Sequence, residues 1–186
     1  MTDWFNNVFN TLSIIKIRLV LKYKKVFGGN PMNKGFECKC CGKFHDELPM
    51  SYGSSVPDFV YDIPEDELES RVEMNDDLCI IDDKYFFIRG NIEIPVIDED
   101  QYFVWDVWVS LSEENFDKTT DFWEEPDREK KLEPMFGWLS TDITCYPETI
   151  NLKTMVHTRT VGLRPIFELE PTNHPLAVEK STGISV

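Results

Sequence analysis

The sequence predicts an α+β domain built mainly on an antiparallel sheet, with a few flanking helices and a zinc-ribbon-like cysteine knuckle near its N-terminus. Short segments rich in β-branched and aromatic residues follow one another from residue 78 to residue 169. Few segments with helical periodicity separate them, so consecutive strands are expected to pair antiparallel. Hydrophobic residues make up 41% of the 186 residues, which is enough for the core of a single domain.

The chain after the knuckle is expected to pass from an irregular connection through one helix into a sheet. Residues 48–57 are rich in Pro, Ser and Gly, as loops are. Pro64 with acidic residues directly behind it is a typical helix start. Turns are expected at Asp82-Asp83 and at Gly90. The strands expected here are residues 79–81, 85–89, 91–96 and 103–110.

The second half is expected to add two helices and three strands. Ser112 is a good N-cap with acidic residues after it, and Phe116 and Trp123 lie seven residues apart on one helix face. Pro175 and Gly183 are expected to mark the start and the end of the last helix. The strands expected in this half are residues 136–139, 152–160 and 165–169.

A basic leader, residues 1–31, precedes the domain. Its apolar residues follow a helical period at first and a strand period later, and the two conflict. Lys16 and Arg18 interrupt the apolar run well below the roughly 20 residues that a membrane span requires, and no secretory signal is recognisable. A native leader is therefore expected to be a basic arm for docking or for a membrane surface.

The residues before Met32 favour a second interpretation of the leader. A purine-rich ribosome-binding sequence a few nucleotides ahead of a start codon would be translated as two glycines if it were read as part of the gene. Gly28-Gly29 stands at such a position ahead of Met32. We therefore expect Met32 to be the true start and residues 32–186 to form one domain, with the knuckle at residues 36–46.

The net charge of the chain excludes some partners and favours others. The total is −15, and residues 1–36 carry six basic side chains and one acidic one, so residues 37–186 hold a net −20. Such a body repels the phosphate backbone of nucleic acids, and it attracts a basic protein partner.

Five cysteines are present, and three of them cluster at residues 38–41. Their odd number and their clustering fit free thiols or metal ligands in a reducing cytoplasm. Cys38, Cys41 and His45 form the pattern C-x-x-C-G-x-x-H, in which both thiolates can face one structural zinc ion and Gly42 can take the positive φ of a tight turn. The alternative is a pair of reduced thiols without metal. The fourth ligand would come from Cys40, Cys79, Cys145, His157, His174 or a carboxylate.

Several short motifs follow one another in a characteristic order along the chain. They are the knuckle and residues 78–82, 86–90, 94–96, 108–112, 136–139, 164–165 and 174–177. Their order resembles the bacterial domain-of-unknown-function family 2199. The resemblance covers about residues 36–185, and Asp106 stands where the family pattern leads us to expect a small residue between two tryptophans. The resemblance implies homology but no activity.

Four further residues are weak candidates for binding. Trp105 and Trp108 must point to opposite faces of a strand, so one is expected in the core and the other nearer the surface. An exposed tryptophan would be a binding anchor, but we favour core or partial burial for either. Arg164 and His174 would together bind a carboxylate or phosphate. The simpler interpretation, which we favour, is that His174 caps the last helix and Arg164 pairs with an acidic residue.

No catalytic residue is identified from the sequence. A phosphate-cradling glycine loop, a nucleophile elbow and an H-E-x-x-H helix are all absent from the sequence, so a protein that is not an enzyme is expected. The expected function is a cytoplasmic binding protein of the immunity type, whose acidic body neutralises a basic toxin. The alternative is a zinc-dependent hydrolase with Cys38, Cys41 and His45 as ligands and water in the fourth position.

Overall fold

The computed structural model describes residues 35–37, 42–46, 49–97 and 99–185. The leader, Met32, Cys38 and Cys41 lie outside them. The strands are β1 Phe36–Glu37, β2 Phe44–His45, β3 Ser51–Gly53, β4 Val72–Met74, β5 Leu78–Ile81, β6 Tyr85–Pro95, β7 Tyr102–Leu111, β8 Met135–Leu139, β9 Lys153–His157 and β10 Ile166–Leu169. The helices are a 3₁₀ helix at Asp58–Asp62, α1 Leu68–Arg71, α2 Glu113–Asp121, α3 Arg128–Lys131 and α4 Pro175–Thr182.

Five strands close into a barrel in the order β6, β7, β8, β9 and β10. Neighbouring strands are antiparallel, except that β10 runs parallel to β6 and closes the barrel where Ile166 stands opposite Asn91. Strand β3 joins β7 in parallel, while β5 and β4 extend the sheet from β6. The α+β class and the mainly antiparallel sheet are thus confirmed. The closed barrel was not predicted.

The inside of the barrel is the main core. In strand β7, every second residue from Phe103 to Leu111 points to the inner face and is buried there. Burying each large apolar side chain contributes roughly 1.5–3 kcal/mol. This inner core is built from Ile88, Ile92, Ile94, Val96, Phe103, Trp105, Val107, Val109, Leu111, Phe116, Met135, Leu139, Ile143, Val156, Phe167 and Leu176.

A second, smaller core covers part of the outer face of the barrel. Trp108 points outward from β7, yet its exposure is 0%, because the segment around the 3₁₀ helix lies over it. Its indole Nε1 donates to the Ser54 carbonyl at 3.2 Å. Trp105 is 5% exposed on the inner face, so the two rings do point to opposite faces. The expectation that one of them lies nearer the surface was wrong because both faces of β7 are covered, whereas the favoured expectation that each is at least partly buried is confirmed.

Gly90 does not form a turn, as the sequence suggested, but lies inside one continuous strand, β6. The two strands predicted on either side of it are this single strand. A Cβ at Gly90 would lie 2.5 Å from Phe167 Cζ and 2.7 Å from the Pro165 carbonyl oxygen. Glycine is needed here because β10 approaches the backbone of β6 closely where the barrel closes.

The helices follow their capping signals where the sheet leaves room for them. Ser112 caps α2 by accepting the Asn115 N–H, and α4 runs from Pro175 to a C-cap at Gly183. The helix expected from Pro64 is only the four-residue α1, because Val72 immediately pairs with Ile81. The predicted connection at residues 48–57 contains strand β3. Within the described part of the chain, no helix has the length and apolar character needed to cross a membrane.

Candidate functional site

Four charged side chains meet on the outer face of the barrel, where β6 and β7 run side by side. Arg89 binds Asp106 through two hydrogen bonds, from Nε to Oδ1 at 3.0 Å and from Nη2 to Oδ2 at 2.8 Å. Arg164 donates from Nη1 to the same Asp106 Oδ2 at 2.9 Å, and from Nε to Asp77 Oδ1 at 2.6 Å. We call Asp77, Arg89, Asp106 and Arg164 the charged cluster. The exposures of these side chains, between 17% and 32%, place the cluster partly out of solvent.

The charged cluster is saturated by its own partners. Burial alone would lower the pKa of Arg164, but the hydrogen bond to Asp77 and the charges of Asp106 and Asp77 outweigh it and raise that pKa. Arg89 and Arg164 also both donate to the Asp76 carbonyl, at 3.3 and 3.4 Å. The geometry therefore makes the cluster a cross-link between β6, β7, the β4–β5 turn and the loop before β10, and not an open anion site.

Removing the shared carboxylate is expected to destabilise the fold. Asp106→Ala leaves two guanidinium groups facing each other without the charge between them, and the partial exposure of the cluster limits the cost to about 2 kcal/mol. Urea unfolding measures the loss. Glu114→Ala is the matched control, because Glu114 and its partner Lys118 are exposed by 77% and 51%, and its loss of stability is expected to be far smaller than that of Asp106→Ala. Equal losses in the two variants would show that Asp106 is not a structural hub.

A second group of side chains surrounds Tyr146, which packs against the inner core. The Tyr146 ring lies 6.2 Å from that of Trp105 and 6.5 Å from that of His174. Its hydroxyl donates to Glu179 Oε2 at 2.6 Å. Burial, followed by this hydrogen bond, raises the pKa of Tyr146 far above its usual value. The phenol therefore stays protonated and ties its loop to α4.

His174 occupies the position that the capping interpretation predicts. Its Nδ1 accepts the backbone N–H of Leu176 at 3.2 Å, and its Nε2 lies 3.3 Å from the Pro147 carbonyl. Arg164 is bonded to acidic residues in the charged cluster instead. The two side chains therefore bond to different groups, and nothing in this geometry assembles them into one anion-binding pair.

The metal ligands expected from the sequence are only partly described. Cys38 and Cys41 lie outside the described residues, and His45 is exposed at the end of β2. Gly42 has the positive φ expected of it, +67°. Cys79 is a poor fourth ligand, because it is buried in the outer core and burial raises the pKa of its thiol to about 12. Among the described residues, no group of three or more His, Cys, Asp or Glu is placed to hold a metal ion.

A strongly acidic surface covers the outer core. The stretch from Asp58 to Glu73 carries seven carboxylates and a single basic side chain, Arg71. That arginine is already bound to Glu67 and Asp82, each at 2.7 Å. We call this stretch, together with Asp142, the acidic surface. Asp142 belongs to it because its backbone N–H donates to Asp58 Oδ2 at 3.0 Å.

Basic side chains elsewhere do not neutralise this surface. Among the described residues from 49 to 185 there are 29 acidic and 11 basic side chains. Nine of the 11 basic side chains form ion pairs. The other two are Arg128, which binds backbone carbonyls, and Lys84, which lies over the Tyr85 ring. Positive charge in this part of the chain is thus consumed internally, and the surplus carboxylates face solvent. The nine that form ion pairs are Arg71, Arg89, Lys118, Lys130, Lys131, Lys153, Arg159, Arg164 and Lys180.

Asp58 is the most perturbed carboxyl group on the acidic surface. Burial raises its pKa from 3.8 to about 6, and the neighbouring charges of Asp142 and Asp62 act in the same direction against the stabilising hydrogen bond from Asp142. A cation brought next to Asp58 would relieve this penalty. No pattern in the sequence pointed to Asp58, Tyr146 or Glu179, whereas Asp106 was noticed as a departure from the family pattern.

Comparison with known proteins identifies a family without a described activity. The sequence pattern of the family described as "Uncharacterized protein conserved in bacteria (DUF2199)" matches residues 37–184. The chain belongs to this family. Neither the curated proteins nor the solved structures give a significant match.

Proposed function

We propose that this member of the DUF2199 family is a cytoplasmic binding protein whose acidic surface captures a basic protein partner. The observation that carries the proposal is the unbalanced charge of the acidic surface. Seven carboxylates between Asp58 and Glu73 share one arginine, and that arginine is already bound within the chain. Surplus charge of one sign raises the association rate with a partner of the opposite sign and excludes partners of the same sign.

A toxin that acts on nucleic acid fits this chemistry. Such a toxin must carry lysine and arginine side chains to bind phosphates, and an acidic protein can cover those side chains. We therefore favour an immunity-type role, in which the acidic surface occupies the nucleic-acid-binding face of a basic toxin. The charged cluster and the Tyr146 group support this role indirectly, because they hold the barrel under the acidic surface together.

Affinity capture from the native host tests the proposal. The wild-type chain is expected to retain a basic protein at low ionic strength and to release it at high ionic strength, because exposed charges are screened by salt. The variant Asp62→Asn/Glu65→Gln/Glu69→Gln is expected to lose that protein. The control variant Glu113→Gln/Asp117→Asn/Asp121→Asn removes the same charge from α2 and is expected to keep it. Equal retention by the two variants would contradict the proposal.

The raised pKa of Asp58 predicts a pH dependence of stability. In the folded chain Asp58 binds a proton up to about pH 6, whereas its usual pKa is 3.8. The folded state therefore holds more protons in this window, and the free energy of unfolding should fall as the pH rises from about 4 to about 6. Asp58→Asn should remove this contribution, so the variant gains stability relative to wild type across that window. Urea unfolding at a series of pH values measures the difference.

A control variant whose stability is expected to change with pH in the opposite direction strengthens this test. The hydrogen bond from Lys118 lowers the pKa of Glu114. Glu114→Gln should therefore lose stability relative to wild type as the pH rises towards the usual pKa of 4.5, and the difference should change little above it. A difference between Asp58→Asn and wild type that does not change with pH would contradict the assignment of the raised pKa to Asp58.

We also propose a structural zinc ion held by Cys38, Cys41 and His45. Strands β1 and β2 pair with Glu37 opposite Phe44, and this pairing on either side of the cysteine motif supports a compact knuckle. Protein expressed from Met32 is expected to contain one zinc per chain by elemental analysis. Cys41→Ser is expected to lose the zinc and to lower the thermal stability.

The number of protein ligands separates structural zinc from the hydrolase alternative. A closed site has four protein ligands, while a hydrolase needs one position open to water. Cobalt substitution followed by visible spectroscopy distinguishes the two, because bound water changes the ligand set. If the wild-type chain contained no zinc and were no more stable than Cys41→Ser, both the structural zinc site and the zinc-dependent hydrolase would be contradicted.

A further inference from the structure

Strand β8 places two aromatic side chains in solvent. Phe136 and Trp138 are 43% and 40% exposed, while Met135, Gly137 and Leu139 between and around them are buried in the barrel. The two rings lie 5.0 Å apart in an edge-to-face arrangement at 84°. We call Phe136 and Trp138 the aromatic pair. The fold requires only the inward residues of β8, so the outward pair is available for binding.

The aromatic pair adjoins the acidic surface. The Ser140 carbonyl, two residues beyond Trp138, accepts the backbone N–H of Asp58 at 2.9 Å. Two residues along a strand span roughly 7 Å, so the carboxylate of Asp58 and the indole of Trp138 lie within reach of one extended peptide. Phe59 and Tyr61 on the adjacent 3₁₀ helix are also exposed, by 41% and 57%. Exposed aromatic rings and carboxylates therefore occur together on this face of the barrel.

The basic residue opposite Trp138 in the sheet is not expected to repel a cationic partner. Lys153 stands opposite Trp138 in the sheet register. Its ammonium group is bound to Glu170 at 3.3 Å, and its charge is thereby balanced. Asp58 and Asp142 are the members of the acidic surface that are linked to the end of β8, through the Ser140 carbonyl and through each other.

We propose that the aromatic pair and the adjoining carboxylates of Asp58 and Asp62 form the docking surface for an arginine-rich segment of the protein partner. The inference rests on the proposed function and names the surface and the chemistry that it recognises. A guanidinium can stack on an indole face while donating to a neighbouring carboxylate. Tryptophan is also among the side chains that contribute most to binding energy at protein interfaces. A second copy of this chain is disfavoured as the occupant, because it would bring two acidic surfaces together.

Binding of a synthetic octa-arginine peptide to the full chain tests the docking surface. Trp138→Ala and Phe136→Ala are expected to weaken the peptide's affinity about tenfold by isothermal titration calorimetry. Tyr85→Ala and Tyr102→Ala remove aromatic rings that are exposed to a similar degree elsewhere, by 50% and 54%, and are expected to leave the affinity unchanged. Circular dichroism confirms that each variant is folded.

Each outcome separates the inference from the proposed function. Unchanged affinity in both Trp138→Ala and Phe136→Ala, with weakened affinity in Asp58→Asn/Asp62→Asn, overturns the docking surface and leaves the acidic binding function standing. No loss of affinity in any of these variants overturns both. Sedimentation velocity without peptide addresses the other occupant, since a wild-type dimer that Trp138→Ala dissociates would assign the surface to a second copy and overturn the proposal.

Discussion

Gly90→Ala is expected to lower the free energy of unfolding by about 3 kcal/mol. A methyl group at this position would lie 2.5 Å from Phe167 Cζ and 2.7 Å from the Pro165 carbonyl oxygen. The ring could turn aside, but the carbonyl cannot move far, because it accepts the Asn91 N–H at 2.9 Å. That hydrogen bond belongs to the parallel contact that closes the barrel between β10 and β6. Relief of the clash would therefore open the barrel at its closing pair.

Gly162→Ala provides the matched control for this prediction. Gly162 has φ +86° and no heavy atom within 4 Å of an added Cβ, so its substitution costs only backbone strain, about 1 kcal/mol. Urea unfolding of both variants compares a steric clash with a strained φ for the same chemical change. If Gly90→Ala lowered the free energy of unfolding no more than Gly162→Ala does, the result would contradict the close approach of β10 to β6 at Gly90.

Arg128→Met is expected to cost about 3 kcal/mol, because it removes a buried side chain that satisfies several backbone carbonyls. Arg128 is 3% exposed. It donates to the carbonyls of Trp123, Arg159 and Leu163 at 2.6, 2.7 and 2.9 Å, and its guanidinium lies 5.0 Å from the centre of the Trp123 ring. Burial lowers the pKa of this arginine. Backbone carbonyls and the Trp123 indole thus take the place of water around the Arg128 guanidinium. None of these partners is a carboxylate.

Lys131→Met is the control on the same helix. Lys131 is 42% exposed and binds Glu125 at 3.2 Å, so its loss is expected to cost less than about 0.5 kcal/mol. Arg128→Met should also loosen the loop at residues 159–163, which hydrogen exchange can follow. Because Arg159 donates to the Arg164 carbonyl, this loosening is expected to reach the charged cluster. Unchanged exchange in the loop would contradict the role of Arg128.

Local sequence patterns predicted the position of most strands but not the closure of the sheet. The alternation in β7 and the capping residues of α2 and α4 are visible within a few residues of sequence. The closing contact joins Asn91 to Pro165, 74 residues apart along the chain, and no local pattern encodes such a pairing. Gly90 was misread for the same reason. A glycine between two apolar runs is typical of a turn, while its role here is set by a ring and a carbonyl that arrive from β10.

The candidate site divides in the same way. Period-two alternation correctly separated Trp105 from Trp108, but it could not show that the segment around the 3₁₀ helix covers the outer ring. Asp106 was noticed only because it replaces the small residue expected between two tryptophans, and its partners Arg89 and Arg164 come from other elements. The acidic excess was plain from composition. Its concentration between Asp58 and Glu73 matters only because the fold lays that stretch over the barrel as one surface beside Trp138.

The central claim is that the acidic surface binds a basic protein, and the salt dependence of affinity tests it most directly. Once a partner is captured and purified, its dissociation constant can be measured over a range of ionic strengths for wild type, for Asp58→Asn/Asp62→Asn and for Glu113→Gln/Asp117→Asn. Wild type and the α2 control are expected to weaken steeply and equally with salt. The acidic-surface variant should bind about tenfold more weakly at low salt and respond less to salt. Identical affinities and identical salt dependence for all three proteins would contradict the claim.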